Sequence, residues 1–201
     1  MTARLVAFDR LLLLWVVAHR IEPLNPLMWG ISVIGRGGLM WLAVGTGLML
    51  ARRVHVRGVI RIALALLLAS LCVNHLLKPI VNRERPFAAT PTIHVIGGPP
   101  LDGSFPSGHS ANAFAGAYVL SCLVPAARAL WWALAMTIAY SRIYLGVHYP
   151  LDVAAGAAVG ILSGIAVMAL TSRSTRRRPP TAVHHGLPDS RGGTDVRGRG
   201  A

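Results

Sequence analysis

Long apolar stretches broken by short polar blocks dominate the chain. Runs of mostly Leu, Ala, Val, Ile and Gly fill residues 37–51, 62–77, 111–127, 129–140 and 153–170. Each extends into its flanks toward the roughly 20 residues that cross a hydrocarbon core, so about five spanning helices are expected. Several runs are short or interrupted, which predicts tilted helices packed on one another. Gly and Ala crowd 113–117 and 154–164, and small residues let helix backbones approach closely where packing replaces the hydrophobic drive. The stretch 5–18 is apolar but only about 14 residues long, too short to span. It contains Asp9 and Arg10 and closes on His19 and Arg20, the pattern of an interfacial, half-buried helix. The expected fold class is all-α: a polytopic membrane helical bundle with about five spanning helices and an N-terminal interfacial helix.

Composition agrees with this pattern. The 201 residues are 54% hydrophobic and only 13% charged, which departs from a soluble globular chain. One membrane-embedded domain is expected over 1–172, followed over 173–201 by a disordered basic tail rich in Pro, Gly and Arg and too poor in large apolar side chains to fold. The formal net charge of +13 raises nucleic acid as a partner, and its distribution excludes one. Arg52, Arg53, Arg57 and Arg61 crowd one connection, Arg128 another, and Arg173, Arg176, Arg177 and Arg178 follow the last run. Alternate connections rich in arginine mark the cytoplasmic side of a membrane protein, and the tail is expected there, against anionic membrane lipids. Cys72 and Cys122 have neither zinc spacing nor a disulfide framework and are expected to pack as small hydrophobes.

Three polar blocks carry the candidate chemistry: Lys78-x6-Arg85-Pro86, Pro106-Ser107-Gly108-His109, and Ser141-Arg142-x5-His148-x3-Asp152. Lys78 is the only lysine among 20 basic residues. If the Arg52 to Arg61 connection is cytoplasmic, the run 62–77 delivers Lys78 and Arg85 outside, and the following runs return Ser107, Arg142 and Asp152 to the same face. Pro79 and Arg85-Pro86 predict a helix exit at the first block. The second is expected to start a helix, whose free N–H groups and dipole favour an anion, with Gly108 permitting close approach and Ser107 adding a hydroxyl donor. Pro150 suits the first turn of the last helix, placing Asp152 within reach of His148. His75 and Arg83 are assigned supporting positions near the pocket; His19, His55 and His94 belong to no constellation, and His184-His185 makes a poor metal site.

The segments 78–86, 104–110 and 140–152, read as Lys78-Pro-Ile-Val-Asn-Arg-Glu-Arg-Pro86, Ser104-Phe-Pro-Ser-Gly-His-Ser110 and Tyr140-Ser-Arg-Ile-Tyr-Leu-Gly-Val-His-Tyr-Pro-Leu-Asp152, resemble the type 2 phosphatidic acid phosphatase superfamily. That fold is shared by membrane lipid phosphatases, glucose-6-phosphatase and vanadium haloperoxidases. The resemblance covers roughly 30–165 and leaves no motif position substituted.

The resemblance implies a lipid phosphate phosphatase acting through a phosphohistidine. His148 is then the nucleophile, Asp152 its orienting carboxylate, and His109 the acid and later the base. Lys78, Arg85, Ser107, Gly108 and Arg142 bind the phosphate. No cofactor is implied and no metal: the seven carboxylates are scattered, two of them in the tail as Asp189 and Asp195, and offer no oxygen cluster for a divalent ion. The implied substrates are undecaprenyl diphosphate, phosphatidic acid or phosphatidylglycerol phosphate. The implied location is a bacterial plasma membrane, with the active site extracytoplasmic and the tail cytoplasmic. The alternative is a noncatalytic membrane transporter or scaffold on the same fold. Neither the choice of lipid nor the oligomeric state is legible.

Overall fold

The computed structural model describes residues 3–176, and among these every regular element is helical. Helix α1 (Ala3–Ala18) leads to α2 (Asn25–Ile34) and α3 (Leu39–Leu50), then α4 (Val56–Leu71), which continues through a π-helical turn (Cys72–Leu77) into the short α5 (Lys78–Val81). A brief α6 (Pro86–Ala89) precedes the long loop to α7 (Gly108–Leu123), α8 (Arg128–Tyr144) and α9 (Pro150–Arg176). Helix α9 thus runs into the first residues of the segment read as tail; residues 177–201, including the disorder expected there and His184-His185, lie outside the described residues.

The core forms around α7, which packs on α9, α8 and α4. Trp41, Ile62, Leu66, Val119, Leu120 and Ile138 fill it together with buried alanines. The small residues of α9 act as the pattern predicts. A Cβ on Gly156 would lie 2.3 Å from the Ser107 carbonyl, and one on Gly160 would lie 2.1 Å from that of Ala111. Backbone-to-backbone approach therefore sets the register of α7 against α9, and the Ser107 N–H donates to the Asp152 carbonyl at 2.9 Å. Main chain thus ties the second polar block to the third.

Large apolar side chains face outward along α4, α8 and α9, among them Leu64, Leu67, Leu71, Leu130, Met136, Leu162 and Ile165. By length and hydropathy two segments suffice to cross a membrane, Val56–Ala89 and Pro150–Ser172; the pair Glu22–Ile34 and Arg36–Leu50, bent by 47°, makes a third if it is one broken span. Helices α7 and α8, with 16 and 17 residues, are shorter than the full bilayer span expected of them. Cys122 is exposed and Cys72 half-buried, so the packed positions expected for both are not what the fold gives them.

Helix α1 keeps most of its apolar surface outside, with Phe8, Leu11 and Trp15 more than half exposed. It buries Asp9 and Leu13. Asp9 and an apolar ridge around Leu13, which packs with Ile93 and Tyr149, dock it together.

Candidate active site

The first block leaves its helix between Lys78 and Arg85. Pro79 cannot donate a hydrogen bond and its ring crowds the preceding turn. The π-helical turn Cys72–Leu77 lies directly before it, the widened geometry that absorbs such a break. The chain continues helically to Val81 and ends at Asn82, whose left-handed φ of 40° closes the helix. The exit expected between Lys78 and Arg85 thus lies at Asn82. Arg85 is extended, with ψ 152°, before Pro86 opens α6.

Ser107 is fully buried and caps α7, its Oγ accepting from the Ser110 N–H at 3.4 Å. The side chain read as a phosphate donor is thus taken up in capping the helix, and Ser107 is not among the residues that line the cavity where the other phosphate-binding candidates converge. Gly108 follows as the first residue of the helix, where N–H groups have no intrahelical partner.

Lys78, Arg85, Gly108, His109, Arg142 and His148 converge on one cavity of about 250 Å³, together with Asp102, Ser70, Asn74 and Asn112. All three blocks therefore meet at one end of the bundle. A larger cavity of about 550 Å³, lined by Arg53, His55, Arg57, Arg61 and Leu123, lies at the opposite end of α4 and α7 and has one histidine with no carboxylate or second histidine beside it. His75 is exposed and lines neither.

Arg85 is almost entirely buried and is held from two sides. Its Nη1 donates to the Val147 carbonyl at 2.7 Å and lies 3.3 Å from His148 Nε2. Its Nε donates to the Asp102 carbonyl at 2.7 Å and its Nη2 to Asp102 Oδ1 at 2.6 Å. Lys78 Nζ also donates to the Asp102 carboxylate, through Oδ2. Burial pushes the Asp102 pKa up, but the hydrogen bonds and charges of Lys78 and Arg85 outweigh it and hold the carboxyl at about 2. An anion thus already sits on two of the three motif cations. Arg142 donates from Nη1 to Ser32 Oγ, while its Nε is buried with no partner, a donor left for a ligand.

His148 is 2% exposed and lies in the turn between α8 and α9. Burial, followed by the charges of Arg85 and Arg142, overcomes the pull of Asp152 and lowers its pKa to about 4. The imidazole is therefore neutral near pH 7. With Arg85 Nη1 facing Nε2, the fitting tautomer carries its proton on Nδ1, turned to Asp152 Oδ2 at 3.6 Å. That gap is slightly long for a hydrogen bond, and Nδ1 has no other partner.

Asp152 is fixed by donors that the motif does not name. Its Oδ2 accepts from Ser104 Oγ at 2.5 Å and from the Tyr149 N–H at 2.9 Å, and its Oδ1 from Arg83 Nη1 at 2.6 Å. Arg83 also donates from Nη2 to Asp9 Oδ2 at 2.7 Å and lies 3.9 Å above the Tyr149 ring. Asp9 Oδ1 accepts from the Leu151 N–H at 2.8 Å, so α1 satisfies a free donor in the first turn of α9. Sequence reading missed Asp9, Ser104, Ser32 and Asp102 as site residues. For Asp9 a signal existed: a carboxylate inside an apolar helix demands a partner.

The model of the PAP2 superfamily matches residues 58–176. An undecaprenyl-diphosphatase of Sulfolobus acidocaldarius is 32% identical over 162 residues, covering 78% of this chain and 74% of that protein. A decaprenylphosphoryl-5-phosphoribose phosphatase of Mycobacterium tuberculosis is 32% identical over 160 residues, covering 80% and 77%. Some curated relatives match over less: the chain spans 42% of the length of the bacitracin transport permease protein BcrC of Bacillus licheniformis, at 40% identity over 86 residues, or 43% of this chain. Among solved structures, LpxE of Aquifex aeolicus superposes with a TM-score of 0.67 at 31% identity, covering 79% of this chain and 93% of that one. A phosphatidylglycerolphosphate phosphatase of Bacillus subtilis gives 0.66 at 25%, covering 88% and 90%.

Proposed function

The chain belongs to the PAP2 superfamily, and on that premise we propose that it is a membrane lipid phosphatase that removes a terminal phosphate through a phosphohistidine at His148, without a metal ion. The observation that carries this reading is the convergence of three cations and two histidines on one cavity. The neutral His148 Nε2 attacks phosphorus, and Asp152 stabilises the positive charge that develops on the ring. His109 protonates the departing oxygen and then takes a proton from the water that cleaves the phosphoenzyme. Lys78, Arg85 and Arg142, with the Ser107 hydroxyl and the Gly108 N–H, hold the phosphoryl oxygens. Among the described residues no three His, Cys, Asp or Glu side chains gather as a metal site, which supports reliance on these cations.

The outward-facing apolar side chains support a bilayer position, with about five crossings if the bilayer thins around the shorter helices. The arginines at the far end of α4 then face the cytoplasm and the catalytic cavity opens outside. Isoprenoid and glycerolipid phosphates are the favoured substrate classes, in keeping with the names of its relatives.

The test is phosphate release by the detergent-purified protein in excess EDTA, from undecaprenyl diphosphate, phosphatidic acid and phosphatidylglycerol phosphate, with His148→Ala alongside. Turnover that survives EDTA and vanishes in the variant is the expected result. Turnover that needs a divalent ion, or survives in His148→Ala, overturns the mechanism.

A further inference from the structure

A second cavity of about 390 Å³ adjoins the catalytic one, and the two share His109, Arg142 and Pro100. His148, Lys78 and Arg85 line only the first; Arg36 lines only the second. No motif includes Arg36. It is placed by a tight turn between α2 and α3. Gly35 packs directly on Ile138, where a Cβ would lie 2.7 Å from that side chain, and Gly37 and Gly38 adopt φ of 63° and 75°. The turn sets Gly37 against the first cavity and Arg36 against the second. Among the described residues no carboxylate pairs with Arg36, yet its charge reaches both His109 and Arg142. The rest of this cavity is largely apolar, with Trp29, Val33, Ile96 and Leu145 among its walls.

Phosphoryl transfer places the attacking and leaving atoms roughly in line across phosphorus. With His148 on one side and the proton donor His109 on the other, the leaving group extends past His109 into the second cavity. A neutral alcohol leaving there needs no cation. An anionic one does, because an apolar wall raises the cost of a bare charge. We propose that this cavity is the leaving-group subsite and that Arg36 binds a second phosphoryl group there, so that the enzyme prefers lipids whose scissile phosphate departs from a phosphate-bearing group.

The inference rests on the phosphatase reading above. For a diphosphate, the bond from the terminal phosphorus to the bridging oxygen breaks as His148 Nε2 bonds to that phosphorus. The electron pair stays on the bridging oxygen, which takes the His109 proton or leaves as the lipid monophosphate anion. Water then releases inorganic phosphate. Arg36 holds the phosphate that stays with the lipid, and the apolar walls take the first part of the tail. In a glycerophosphate lipid the second phosphoryl group is a phosphodiester further along the leaving group, and it meets the same guanidinium.

The experiment compares wild type, Arg36→Gln and Arg36→Lys by kcat/KM on farnesyl diphosphate, phosphatidylglycerol phosphate and phosphatidic acid. In Arg36→Gln the ratio of diphosphate to phosphatidic acid turnover should fall at least tenfold, mainly through KM, and Arg36→Lys should recover part of it. A parallel fall with phosphatidylglycerol phosphate identifies the shared phosphoryl chemistry; a fall with the diphosphate alone identifies the bridging arrangement. An unchanged ratio overturns the proposal, as does equal loss on all three lipids. A binding arm separates this from failure of the phosphatase reading. The uncleavable farnesyl methylenediphosphonate should raise the unfolding temperature more than farnesyl monophosphonate, and only Arg36→Gln should erase that difference while His148→Ala keeps it. That outcome without turnover retains the subsite and overturns the phosphatase reading; no difference in wild type overturns the subsite.

Discussion

Arg83 holds Asp152 by an ion pair of 2.6 Å between Nη1 and Oδ1, and its other terminal nitrogen reaches Asp9 on α1 at 2.7 Å. Both carboxylates are fully buried and the guanidinium side chain is 17% exposed. The carboxylate beside His148 is therefore held by an arginine that also ties the N-terminal helix to the start of α9.

Arg83→Gln should reduce kcat by about 10–100-fold, the usual cost of losing a partner behind a functional ligand, with KM moving less. Arg83→Lys should restore little, because one ammonium cannot bridge two carboxylates in the fork geometry and stack on Tyr149 as well. Kinetics normalised to folded protein check this; a loss that disappears on normalisation would make Arg83 a structural anchor alone.

Asp9→Ala should destabilise the fold by about 3–5 kcal/mol, since it leaves a largely buried arginine with half its pairing and the Leu151 N–H without an acceptor. The measurement is the equilibrium unfolding of the purified protein in detergent. No shift would mean that water replaces the Asp9 contacts.

Asp102→Asn should bind phosphate more tightly. In the empty site the Asp102 carboxylate occupies Lys78 and Arg85. Its pKa, held at about 2, keeps it charged at every working pH. Removing that charge should lower the inhibition constant of inorganic phosphate several-fold. A weaker inhibitor would show that Asp102 positions the cations more than it competes for them.

Catalysis should persist to unusually acid pH. A histidine lowered to about 4 is a free nucleophile above that value, so the acid limb of kcat/KM should lie near pH 4 to 5 and not at the ordinary imidazole value of about 6.5. An acid limb near 6.5 in the free enzyme would contradict the buried, cation-flanked environment of His148.

Local pattern and chain order made most of the site legible. Pro150 at the first turn of α9, the helix start at Gly108 and the extended Arg85 follow from backbone rules that act within a few residues. The small residues of α9 announced close packing, which Gly156 and Gly160 realise against α7. What stayed hidden depends on distant pairing. Asp9 meets Arg83 across 74 positions and Arg142 meets Ser32 across 110, and no periodicity encodes such partners. The π-helical turn that lets the helix pass Pro79 before it ends at Asn82 has no sequence signal of its own. Helix α7 stops at Leu123, before the end of its apolar run, because Val124 and the turn Pro125–Ala127 intervene, whereas α8 outruns its own at both ends.

The most direct test of the central claim is to mix the enzyme with lipid diphosphate carrying ³²P in the terminal phosphate, quench with alkali within milliseconds, and map the label. The account predicts an alkali-stable, acid-labile phosphoryl group on His148, absent from His148→Ala. Turnover by wild type with no label on His148 would contradict it.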